Sequence, residues 1–175
     1  MKNLKNLILF IFVGFAISSC YVNSRSIVDK NIKDSYDSVL IVIIYPKYTA
    51  RKFKKLKEKL SLQFVNTKTK FNYFLIDDGN NRLELNPKER IDKAISDEIS
   101  NINPQLVLFF NITHITFMNG AIRYLEFKIT GVNPKNGLEV WKSFVNIENW
   151  FDIGGSWKIF AEDLYLKLKT DKIIK

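Results

Sequence analysis

The residues able to do chemistry are few and scattered. The 175-residue chain holds one cysteine, Cys20, and one histidine, His114. A thiol is a nucleophile and an acyl acceptor. One Cys and one His cannot build a metal centre, which needs several thiolate or imidazole ligands. His114 sits in Asn111-Ile112-Thr113-His114-Ile115-Thr116. As a catalytic base it needs a nucleophile and an orienting partner, and no spacing ties it to Ser143 or to any Asp. A strand histidine on the solvent side, or a satisfied buried one, is the expectation. Asp77-Asp78-Gly79-Asn80-Asn81 sets two adjacent carboxylates beside amide oxygens. That set suits a hard cation or acid–base work in a hydrolase, but the spacing is not that of an EF-hand. A plain turn is the preferred reading. Neither a phosphate-cradling glycine loop nor a serine-hydrolase elbow occurs. No catalytic set and no cofactor are expected.

Two other clusters can bind without catalysing. Arg51, Lys52, Lys54, Lys55, Lys57 and Lys59 crowd one short stretch of a chain whose formal net charge is +9. Of these, Arg51, Lys52, Lys55 and Lys59 are candidates to face an anion. A solvated helix face is the competing reading. Asn149 to Trp157 is an aromatic stretch containing Gly154-Gly155. Trp150, Phe151 and Trp157 are its candidate partner-binding residues, since Trp and Phe dominate binding hot spots. The spacing of Trp157 also suits the apolar stripe of a helix.

The amino terminus gives Cys20 a specific context. Lys2 and Lys5 precede the apolar run Leu7 to Ile17, and Ser18-Ser19 follow it. A charged start, an apolar stretch of this length and small residues before a cut point describe an export signal. The run is shorter than the ~20 residues a membrane span needs. Ile17-Ser18-Ser19-Cys20 resembles the lipobox of bacterial lipoproteins, in which an aliphatic residue and two small residues precede an invariant cysteine. The resemblance implies a signal over residues 1–19 and a lipid-bearing Cys20. Residues 20–37 are then the lipidated cysteine and a polar tether, and 38–175 one periplasmic domain. Membrane attachment is through acyl chains on Cys20. Tyr21 and Val22 after the cysteine, with no Asp and no acidic cluster, favour the outer membrane and its periplasmic side. Export makes nucleic acid a poor partner for the basic charge. Anionic head groups or acidic polymers are the available ones.

The elements that position these groups follow from periodicity. Val39 to Tyr45 is an unbroken apolar run ended by Pro46 and reads as a strand buried on both faces. Thr49 is expected to cap a helix whose stripe is Phe53, Leu56, Leu60 and Phe64. Lys70 to Asp77 is a second strand. Asn86, Pro87 and Glu89 start a helix as cap, first residue and capping-box partner. Its apolar face is Ile91, Ala94, Ile95, Ile99 and Ile102, and Asn103-Pro104 ends it. Strands follow over Gln105–Phe117, Ile122–Val132 and Leu138–Ile147, with Asn119-Gly120 as the first hairpin turn. Ser156 is expected to cap a last helix carrying Trp157, Phe160, Ala161, Leu164 and Leu168. The order β-α-β-α-β-β-β-α predicts an α/β fold. Its first strands are parallel, and its carboxyl-terminal meander is antiparallel and covered by helices.

That order, with Asn133-Pro134-Lys135-Asn136-Gly137 leading into Leu138 to Lys142, resembles small periplasmic α/β domains of envelope lipoproteins. These are the periplasmic domain of the curli secretion-channel lipoprotein, the amino-terminal domain of the Tol-Pal translocation protein and the penicillin-binding-protein activator lipoproteins. The resemblance implies a non-enzymatic interaction, assembly or transport-accessory role with an envelope protein partner. The alternatives are a hydrolase using Asp77 or Asp78 and a lipoprotein that binds lipid or a small ligand.

Overall fold

In a computed structural model, which describes residues 20–29, 35–79, 86–149 and 153–175, every strand joins one sheet. The chain runs β1 (Cys20–Val28), β2 (Ser38–Tyr45), a 3-10 turn (Lys47–Thr49), α1 (Ala50–Phe64), β3 (Lys70–Asp77) and α2 (Pro87–Ile102). It continues through β4 (Leu106–Met118), β5 (Ala121–Val132), β6 (Glu139–Asn149) and α3 (Ile153–Thr170). The sheet order is β1-β6-β5-β4-β2-β3. β2 is parallel to β3 and β4, and the remaining pairs are antiparallel. This is the mixed α/β fold expected from the order of elements.

Burial explains the patterns. Val39, Ile41 and Ile43 face one core, with Phe53, Leu56 and Leu60 of α1 and Phe160 and Leu164 of α3. Leu40 and Val42 face a second, smaller core with Ile91 and Ile95 of α2. Both faces of β2 are therefore dry, and an alternating sequence would place polar atoms in one core. α2 covers only the parallel half of the sheet. The antiparallel half keeps one open face, so β5 alternates. Leu125, Phe127 and Ile129 are buried, while Tyr124, Glu126 and Lys128 are half-exposed. Asn119 and Gly120 turn the β4–β5 hairpin with φ of 52° and 73°, the left-handed pair a tight primed turn requires.

The tether expectation is corrected over much of its length. Tyr21–Val28 do not hang free. They form edge strand β1, paired from Cys20↔Asn149 to Val28↔Trp141. Val22 and Val28 pack on the main core. The small inward residues Ser24 and Ser26 between them hide the alternation from a hydropathy reading. Ser24 has a reason to be small and polar, because its hydroxyl donates to Asp163 of α3. The capping expectations are also corrected. The Thr49 hydroxyl turns back to donate to Pro46 O at 2.6 Å. Asn86 has φ of 108° and makes no side-chain cap; its amide meets Glu89 Oε2 at 3.5 Å. Ser156 lies inside α3, which begins at Ile153.

Beyond α3 the tail is structural. Ile173 and Ile174 are buried, and Tyr36 bridges to Ile174. Lys175 Nζ meets Asp37 at 2.6 Å.

Candidate functional site

The candidate site is the end of the sheet where the parallel strands stop. β2 finishes at Tyr45, and Pro46 has no amide hydrogen to carry the ladder on. β4 runs further: Ile44↔Asn111 is its last pairing with β2, yet β4 stays paired with β5 through Met118. The shorter strand leaves a shallow cleft of about 360 Å³ against β4, lined by Ile44, Pro46, Asp78, Asn111, Thr113 and His114. Ends of parallel strands are where open α/β sheets usually receive ligands.

The two carboxylates of the acidic turn go separate ways. Asp77 Oδ1 accepts from Gly79 N at 3.1 Å and from Arg90 Nη2 at 3.2 Å. Arg90 also donates to the Asp77 carbonyl at 3.3 Å. Asp77 thus ties the end of β3 to α2. Asp78 continues the ladder, its amide donating to Tyr45 O at 2.9 Å, and lines the cleft. Asp77 is engaged by its own turn and by Arg90, while Asp78 lines the cleft. Asn80 and Asn81 lie outside the described residues.

On the open sheet face, a register shift at Thr113 places His114 opposite Glu126. His114 is exposed, its ring 5.7 Å from that of Tyr124. The Tyr124 hydroxyl donates to Glu126, and Thr113 Oγ1 approaches the other carboxylate oxygen at 3.5 Å. The hydrogen bond to Glu126 is the main cause that raises the Tyr124 pKa; desolvation and the charges of Glu126 and Glu148 add to it. Tyr124 thereby holds its proton more tightly, with its hydroxyl committed to Glu126. Ser143, the serine weighed as a nucleophile, is fully buried opposite Ile129, on the other face of the sheet from His114. Among the described residues, no three His, Cys, Asp or Glu side chains converge to hold a metal.

The binding candidates separate in the same way. Trp157 is fully buried against Phe53, Phe127 and Phe160, so its partner-binding assignment is corrected. Trp150 and Phe151 lie outside the described residues. Arg51 and Lys55 are exposed, and Lys59 is half-buried. Lys52 is engaged: its ammonium donates to Gly120 O at 2.8 Å and stands 5.3 Å from the Phe117 ring centre. Cys20 opens β1 opposite Asn149.

Sequence reading missed one cluster. Tyr48, from the turn before α1, packs on Phe117 near the hairpin tip, ring centres 5.4 Å apart. Met118 follows, and all three side chains are exposed. The available signal was the apolar pair Phe117-Met118 set directly against the Asn119-Gly120 turn, where polar residues are usual.

No family model and no curated protein matches the chain. Among solved structures, it is similar to a point variant of the PelC dodecamer from Paraburkholderia phytofirmans. The identity is 14% and the TM-score 0.49, covering 89% of this chain and 100% of that one. Another crystal form of the PelC dodecamer gives 14% identity and a TM-score of 0.47, covering 89% and 99%. A PDZ domain protein from Parabacteroides distasonis gives 11% identity and a TM-score of 0.44, covering 94% of this chain and 40% of that one. At these values the likenesses assign no activity. No helix among the described residues is long and apolar enough to cross a membrane.

Proposed function

We propose that this chain is a bacterial envelope lipoprotein, anchored by acyl chains on Cys20, whose sheet domain serves as a non-enzymatic interaction, assembly or transport-accessory module. The observation that carries the reading is the box Ile17-Ser18-Ser19-Cys20, set after a charged start and a short apolar run. Cys20 also pairs with Asn149 in the sheet. An acyl group on this thiol passes its hold straight into the sheet. Tyr21-Val22 after the cysteine supports the outer membrane, periplasmic side.

Metabolic labelling with radioactive palmitate tests the anchor. Wild type should incorporate label and Cys20→Ala should not. Unlabelled wild type overturns the reading.

A further inference from the structure

The register of the sheet fixes which part of the domain lies beside Cys20. Cys20 pairs with Asn149 of β6. The Asn149 side chain reaches Ile122 O of β5 at 3.5 Å, and Arg123 Nη1 donates to Asn149 O at 2.9 Å. Ile122 in turn pairs with Phe117 of β4. Cys20 and Phe117 therefore stand within about one residue of the same row across the sheet, three strand steps or roughly 15 Å apart. Met118, Asn119 and Gly120 project past that row by roughly 3 Å per residue.

This projecting end is apolar at its tip and basic around it. Tyr48 is 73% exposed, Met118 52% and Phe117 39%. Lys52 clamps the tip through Gly120 O, and exposed Lys47 and Arg51 flank Tyr48 in the chain. Among the described residues, the acidic side chains nearest in the chain or register are Asp78 in the cleft and Glu148 on the open face, neither of them on the tip. The exposed apolar residues Leu62 and Val65 are at the carboxyl end of α1, toward the opposite edge of the fold. An aromatic and thioether tip ringed by cations is complementary to an anionic bilayer. The rings settle at head-group depth, and the ammonium and guanidinium groups meet lipid phosphates.

We propose that the hairpin tip Phe117–Gly120, with Tyr48, Lys47, Arg51 and Lys52, is a membrane-docking surface for anionic phospholipid. It acts as a second contact that fixes how the domain stands on the bilayer. The proposal rests on the acyl anchor at Cys20. Acyl chains on Cys20 supply the attachment, and a basic apolar patch at the same end of the sheet supplies orientation.

The test uses the mature protein purified from cells labelled with palmitate, carrying Met118→Cys modified with an environment-sensitive fluorophore. The protein is reconstituted into vesicles of phosphatidylethanolamine and phosphatidylglycerol doped with head-group spin-labelled lipid. A Leu62→Cys conjugate is the control. The expected result is a palmitate-bearing protein with strong quenching at position 118 and little at position 62. Lys47→Glu with Arg51→Glu should lower the docked population by about fivefold or more per charge, as should pure phosphatidylcholine vesicles. An acylated protein with equal quenching at both positions overturns the docking surface and leaves the anchor standing. Shielding at 118 from aqueous quencher without lipid quenching points to a protein contact and also overturns it. Absence of palmitate overturns the anchor and the docking proposal with it.

Discussion

At the residue scale, most polar groups that look chemically interesting are doing local structural work. Asp77 closes the end of β3, and Glu126 gathers the hydroxyls of Tyr124 and Thr113. Tyr73 is the residue whose ionisation the fold resists most clearly. Burial raises its phenol from the ordinary value of 10.0 to about 12. The sign follows from linkage. Below pH 10 the phenol is protonated in both states, so its contribution is fully present. Between about pH 10 and about pH 12 the unfolded chain ionises and the folded one does not, so stability falls as pH rises. Tyr73→Phe should flatten that fall. Urea midpoints of both proteins at about pH 9 and about pH 11 measure it, with lysine titration common to the two. The site was partly legible at this scale. The branch point at Asp78 sits at a strand end, as the Asp-Asp-Gly turn suggested. Trp157 was ambiguous because a helix stripe and a binding loop use the same large rings, and only packing decides between them. The tip cluster was illegible because Tyr48 and Phe117 come from distant parts of the chain.

Elements differed in how clearly their sequences announced them. β2 and β3 have long β-rich runs bounded by Pro46 and by the Asp-Gly turn, and both appear where the pattern put them. α2 begins at Pro87 because proline costs nothing at a first helical position, even though Asn86 does not cap it. β1 was hidden. Its inward positions alternate Val22, Ser24, Ser26, Val28, and serine reads as loop until a partner such as Asp163 is known. The strand makes a sharp prediction. Val22→Asp puts a charge into the seam under α3 and should cost about 2–3 kcal/mol in urea unfolding. Asn23→Asp, one residue away and exposed, should stay within about 0.5 kcal/mol. A free tether would tolerate both equally.

For the whole molecule, the closing contacts come from the two ends of the domain. Trp141 Nε1 donates to Asp171 at 2.7 Å, and Ile173 and Ile174 seal the base of the main core. Ile173→Ala should lower stability by about 3 kcal/mol, read from the denaturation midpoint, because it empties a fully buried position next to a chain terminus. The lid on that core is therefore only a few residues deep. The pairing of Cys20 with Asn149 and of Tyr36 with Ile174 also sets a schedule. A ribosome delivers Cys20–Val28 well before Glu139–Asn149, and Tyr36 well before Ile174. Local hairpins can form early, but each outer seam waits for the later of its two partners. Such non-local pairing is slow to nucleate. The nascent segment consequently stays open and threadable while β2 to β5 are made, and it becomes a closed body only after the last turn of α3 and Ile174 have been released.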